Sequence, residues 1–173
     1  QDSEGRVISG APGIAADGIL FDRSAQAAGV TVADCLPVLL VAEDTPLSAL
    51  LHSGFRGTGI VSVALRAMRE LAGVEAERVT AVLGPCIAGE CYAVPRERAE
   101  RFRNTFGVAC AWHQGDQSYI DMRAANLSLL EAGGVQRVTV MNVCTHCDPR
   151  LGSYRRDGAN FFRMLAIAGA FRE

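Results

Sequence analysis

The 173-residue chain is long enough for one domain with a substantial core. Its net charge of -2 and pI near 5.9 leave no basic footprint for nucleic acid, and no apolar run is long enough to cross a bilayer. All 17 cationic side chains are arginines, which excludes a Schiff-base lysine and a phosphate-loop lysine and leaves any phosphate to the planar, two-pronged guanidinium.

The chain begins at Gln1 rather than methionine, which predicts a native N-terminal segment ahead of it; no signal peptide is visible, and the expected location is the cytoplasm. Gln1 to Gly13 is polar and glycine-spotted and is expected to cover an edge of the fold. Ala16-Asp17-Gly18 followed by Ile19-Leu20-Phe21 reads as a turn and a short buried stretch. Between Val30 and Gly59 three apolar runs end at polar or turn residues, predicting three short strands. Cys35 stands at the first junction; His52 closes the third strand and is followed by Gly54, Gly57 and Gly59. From Thr58 the pattern turns helical, with Ile60, Val63, Ala64, Ala67, Met68 and Leu71 on one face and Gly73 as the stop, so an anion-ready helix start follows the glycines. Arg78 to Gly84 is a strand, which completes a strand, helix, strand crossover.

A turn-rich loop with Cys86 and Cys91 follows, then a helix from Pro95 to about Phe106 whose mixed arginines and glutamates predict a solvated face. Cys110 to Ser118 carries no clear pattern. Tyr119 to Asp121 is a brief strand or turn, Asp121 is a candidate cap for a helix reaching Ala132, and Arg137 to Met141 is a strand. The polar stretch from Asn142 to Gly158 reads as a functional loop, and Asn160 to Phe171 reads equally as helix or strand. With no repeat and no linker, residues 1-173 are expected to form a single domain.

Three groups carry candidate chemistry. Cys35 and His52 lie at the ends of adjacent predicted strands, where they suit either a nucleophile with its base or two ligands of one zinc ion; the bland alternative is a buried thiol and a strand-ending histidine. Cys144, His146 and Cys147, set against Cys86 and Cys91, offer the donors of a structural zinc site, although the two thiol pairs sit on separate elements. Arg155 and Arg156 in their glycine-flanked loop, with Arg56 beside Gly57, are candidate anion binders, and a solvated basic turn is the competing reading. His113 has no partner nearby in the chain and reads as a surface histidine.

Ala33-Asp-Cys35-Leu-Pro-Val-Leu-Leu40, His52-Ser-Gly-Phe-Arg56-Gly57, Leu83-Gly-Pro-Cys86-Ile, Cys91-Tyr-Ala-Val94, Ala124-Ala-Asn126, Cys144-Thr145 and Ser153-Tyr-Arg-Arg-Asp-Gly158 together resemble the YfiH-like family. Its members were long labelled multicopper polyphenol oxidoreductases or laccase-domain proteins and are now described as purine nucleoside phosphorylases. The resemblance implies an α/β (α+β) single-domain sandwich with a mixed sheet and packed helices, in which the final segment is a strand. It implies zinc held by Cys35, His52 and a second histidine from a Gln-x-His-Gly motif. The counterpart here is Gln1-Asp2-Ser3-Glu4-Gly5, with Ser3 in the histidine's place, so His113, His146 or another thiol is required as third ligand; Phe55 replaces the usual tryptophan.

The implied reaction is phosphate-dependent cleavage of adenosine- or inosine-type nucleosides, a glycosyl transfer with Cys35 and His52 as catalytic residues and Arg56, Gly57 and Arg155 holding phosphate. The implied partners are thus small molecules only. Copper redox chemistry is disfavoured because a multicopper cluster needs more histidines than the three present. A Cys-His hydrolase editing peptidoglycan precursors, or a binding module without catalysis, are the competing readings.

Overall fold

The computed structural model describes the backbone of residues 7–9 and all of residues 16–169. The segment Gln1 to Gly5, with Ser3, lies outside the described residues. In chain order the elements are β1 (Val7–Ser9), β2 (Gly18–Asp22), β3 (Ala27–Val32), β4 (Leu36–Ala42), β5 (Leu47–Ser53), α1 (Ile60–Ala72), β6 (Val79–Leu83), β7 (Ala93–Val94), α2 (Arg96–Phe106), β8 (Ala111–Gln114), β9 (Gln117–Ile120), α3 (Met122–Ala132), β10 (Arg137–Val140), α4 (Tyr154–Asp157) and β11 (Met164–Gly169).

A six-stranded sheet in the order β1-β2-β5-β4-β6-β10 forms the centre. β1 runs parallel to β2 and β10 parallel to β6, while β2, β5, β4 and β6 alternate in direction, so the sheet is mixed as expected. Alternation along each strand sends side chains to opposite faces. Leu36, Val38, Leu40, Ala49 and Leu51 face Ile60, Val61, Ala64 and Met68 of α1 and Leu130 of α3 in the largest core cluster. Leu50, with Leu39 beside it, points the other way, onto a two-stranded ribbon of β3 and β11 that covers this second face through Ala28 and Ala168. A small sheet, β7-β9-β8, packs with α2 into a separate cluster around Phe102, Ile120 and Met122. The molecule is thus an α/β sandwich, and the segment read as helix or strand is the strand β11, paired antiparallel with β3. None of the described helices is long and apolar enough to cross a membrane.

α1 ends at Gly73, whose φ of 64° is the left-handed conformation expected of a helix stop. Leu71, predicted on the buried face, is instead 70% exposed. Asp121 caps α3 by accepting the Ala124 N–H at 3.0 Å.

α3 is tied to β5 by one polar contact inside the core. Asn126 and Ser53 are both fully buried; the Asn126 amide donates to Ser53 Oγ at 3.0 Å and to the Met122 carbonyl at 2.7 Å. Asn126→Ala leaves the Ser53 hydroxyl unpaired beside a cavity and is expected to cost about 2–4 kcal/mol of stability in urea melts. A loss under about 0.5 kcal/mol, typical of surface substitutions, would contradict this account.

Candidate functional site

The register of β4 on β5 sets Pro37 opposite His52 and Leu36 opposite Ser53. Leu36 and Ser53 face the helices, so His52 and, one residue before β4, Cys35 emerge on the opposite face, beyond the end of the β3–β11 cover. A side-chain carbon placed on Gly54 would stand 2.9 Å from Cys35 Sγ and 3.6 Å from His52 Cε1. The thiol and the imidazole therefore flank one small space that exists because residue 54 is glycine. Asp17 holds the histidine twice, since its carbonyl accepts the His52 backbone N–H at 2.7 Å and its Oδ1 lies 3.4 Å from Nδ1. A carboxylate on Nδ1 fixes the ring's orientation.

Cys35 is half-buried. Burial, reinforced by the carboxylates of Asp34 and Asp17 and opposed by Arg163, pushes its thiol up to about 11. Burial does the same to Cys86, also to about 11, against the pull of Arg123. Both folded values exceed the ordinary 9.0, so the fold prefers the protonated thiols. Their contribution to stability is complete below pH 9.0 and declines as pH rises toward about 11. Urea midpoints of metal-free protein are accordingly expected to fall steadily between about pH 9 and about pH 11. A flat profile across that interval contradicts the burial of these thiols.

Asp34 gathers the surrounding loops. Its Oδ1 accepts Thr145 Oγ1 at 2.8 Å, its Oδ2 accepts the Arg155 backbone N–H at 2.7 Å, and its carbonyl accepts the Ile87 N–H at 3.0 Å. Arg155, in the single turn of α4, is thus fastened to the residue before Cys35; its Nη1 donates to the Ala93 carbonyl at 2.6 Å and its guanidinium lies 5.1 Å from the Tyr92 ring centre. Tyr92 is raised above its usual pKa by burial and then by Cys35, with Arg155 and Arg98 opposing. Phe55 forms part of the adjoining wall, stacked on Phe102 at 5.8 Å with Arg98 4.9 Å above it.

The predicted anion clamp is assembled in part. Arg155 lies against Tyr92, with its backbone N–H on Asp34. Arg56 is exposed on the turn after β5, with no hydrogen bond or ion pair to its guanidinium among the described residues. The Gly57 N–H is already donated to the Gly54 carbonyl at 3.0 Å, so this amide is engaged within the turn. Arg156 is structural: it donates to the carbonyls of Thr145, His146, Asp148 and Leu151 and pairs with Asp157. Asp17, Asp34, Tyr92 and Arg98 were not predicted as site residues; Tyr92 and Asp34 stand inside the quoted motifs, but nothing in their spacing reveals that they meet.

Cys35 and His52 supply two donors of a zinc site. Neither predicted third ligand joins them: His113 on β8 bonds Ser118 Oγ at 2.8 Å, and His146 belongs to another cluster. Among the described residues, the group of three donors within 4.8 Å of one another is Cys91, His146 and Cys147. Among the described residues, the donor set around Cys35 is therefore short of the three protein ligands that a catalytic zinc takes. Cys86, expected beside Cys91, is instead buried, facing the Arg123 guanidinium at 3.5 Å. An open groove bordered by Phe21, Arg23, Glu43 and Ile167 lies at the far end of the strands and contains neither thiol nor imidazole.

Purine nucleoside phosphorylase LACC1 of Homo sapiens is 31% identical to this chain over 154 residues, covering 84% of the chain and 36% of the human protein. Adenosine deaminase RL5 of an unknown prokaryotic organism is also 31% identical, over 84% of the chain and 58% of its own length. The chain thus spans about a third to three fifths of these curated relatives. The crystal structure of protein YfiH of Bacillus licheniformis superposes with a TM-score of 0.82 at 27% identity, over 88% of this chain and 61% of that one. A family model described as multi-copper polyphenol oxidoreductase laccase matches residues 2–170, and the chain belongs to that family, the YfiH-like proteins.

Proposed function

We propose that the hollow between Cys35, His52, Tyr92 and Arg155 cleaves purine nucleosides with inorganic phosphate. The observation that carries the proposal is the meeting of the Cys35 thiol and the Asp17-held His52 ring over Gly54, beside an arginine. Arg155, with Arg56 from the turn after β5, holds phosphate near the sugar, as guanidinium forks suit an anion that no lysine is present to bind. A phosphate oxygen forms the bond to the anomeric carbon while the bond to the purine nitrogen breaks and its electron pair leaves with the base. The sugar gains positive charge in between, and the adjacent phosphate stabilises it. His52 delivers the proton that the departing purine needs, with Asp17 holding the ring in place. No step is routed through zinc, because among the described residues the donors around Cys35 do not complete its site.

Desolvation keeps the half-buried Cys35 as a thiol, whereas an attacking nucleophile must be a thiolate. This weighs against the Cys-His hydrolase. Adenosine deamination is the second reading, supported by the name of the RL5 relative. Incubation of the purified protein with adenosine and phosphate separates the two: phosphorolysis releases adenine and a sugar phosphate, and deamination yields inosine without needing phosphate. Absence of phosphate-dependent base release from both adenosine and inosine would overturn the proposal. Six free thiols fit a reducing compartment, the cytoplasm.

A further inference from the structure

We propose that Cys91, Cys144, His146 and Cys147 form a closed four-ligand zinc site that fastens the loop after β10 to the loop after β6, separate from the Cys35–His52 hollow. The donors of Cys91, His146 and Cys147 lie within 4.8 Å of one another, and the two sulfurs are 3.5 Å apart. Cys144 lies outside that group of three but begins the same turn, three residues before Cys147, and is the fourth donor we assign. The turn is closed by the Asp148 N–H donating to the Cys144 carbonyl at 3.0 Å, and the Ala88 N–H reaches the Cys144 sulfur from the other loop at 3.3 Å. A backbone donor at this position suits a sulfur that carries negative charge, as a metal-bound thiolate does.

Three thiolates and one imidazole form a common donor set for structural zinc, and four protein ligands leave no open position for chemistry. A disulfide between Cys91 and Cys147 accounts for the scene less well. It needs an oxidant, and it leaves Cys144 and His146 without a purpose at the same spot.

The site has a consequence for the hollow. Tyr92 follows Cys91 directly, and Thr145, which bonds Asp34, lies between the ligands Cys144 and His146. A metal here sets both the aromatic wall and the anchor of Arg155, as a positioning device.

The test uses the full chain carrying Cys35→Ser and His52→Ala, which removes the donors of the hollow and makes the outcome independent of the proposed phosphorolysis. Purified under reducing conditions with zinc supplied, this protein is expected to hold one equivalent of zinc by elemental analysis. Its cobalt-substituted form is expected to show intense tetrahedral absorption and a thiolate-to-cobalt charge-transfer band. Adding Cys144→Ser is expected to weaken zinc binding by at least about 10- to 100-fold and to diminish that band. In the wild-type fold, a chromogenic chelator is expected to withdraw zinc while iodoacetamide labelling of Cys147 rises. Folded protein without zinc, cobalt binding without the charge-transfer band, or a Cys91–Cys147 disulfide in freshly reduced protein would each overturn the proposal.

Discussion

His52→Ala is expected to lower kcat/KM for phosphate-dependent base release by about a hundredfold to ten-thousandfold, with the fold intact. The imidazole stands at the open end of β5, its side chain 32% exposed, so its loss removes no core packing. Its backbone N–H bond to Asp17 survives the substitution. The variant is therefore expected to keep its urea midpoint and lose only turnover. Asp17→Asn provides the graded partner. It keeps the shape but weakens the carboxylate's hold on Nδ1, so its signature is a displaced pH profile of kcat with little change in KM. Turnover by His52→Ala within threefold of wild type would remove the imidazole from the reaction.

Asp34→Ala is expected to be the most damaging single change around the hollow. One carboxylate holds the fully buried Thr145 hydroxyl and the Arg155 N–H at once, so its removal strands two groups and releases the start of α4. A hydrogen bond to a charged acceptor is worth about 1.5–3 kcal/mol, which puts the loss near 3 kcal/mol. KM for phosphate is expected to rise together with the fall in stability, because Arg155 loses its anchor. Asp34→Asn retains one acceptor oxygen and is expected to recover about half of the stability. Equal damage from both variants would show that charge, and not the two bonds, is what Asp34 provides.

Period and punctuation made the strands from β3 to β6 and the helix α1 legible in the sequence. The β8–β9 hairpin was missed although its signal is present: Gly115-Asp116 between Gln114 and Gln117 is a two-residue turn, with Gly115 at a φ of 58°. Only four residues on either side carry the alternation, too few to rise above their polar neighbours. Within the site, the sequence showed which side chains have chemistry to offer but not which of them share a space. Cys35 and His52 meet through strand pairing, a local effect that adjacency suggests. Asp34 and Arg155, separated by 121 positions, meet through a loop whose path no periodicity records. The same loop carries His146 away from Cys35 and into the company of Cys91 and Cys147, which corrects the expectation that it serves as a third ligand in the hollow. Arg98 lies on the exposed face of α2, as expected, and from there also covers Phe55.

The pairing of Pro37 with His52 fixes where evolution can add or remove residues. Deleting one residue inside β4 would rotate the sulfur into the helical layer and bring Leu36 out beside the imidazole, ending any joint action of the two. Lengthening the bend from Glu43 to Pro46 leaves both partners facing the same way. Length variation among relatives should therefore gather at that bend and spare the stretch from Cys35 to Ala42, even though neither region touches a substrate along most of its course.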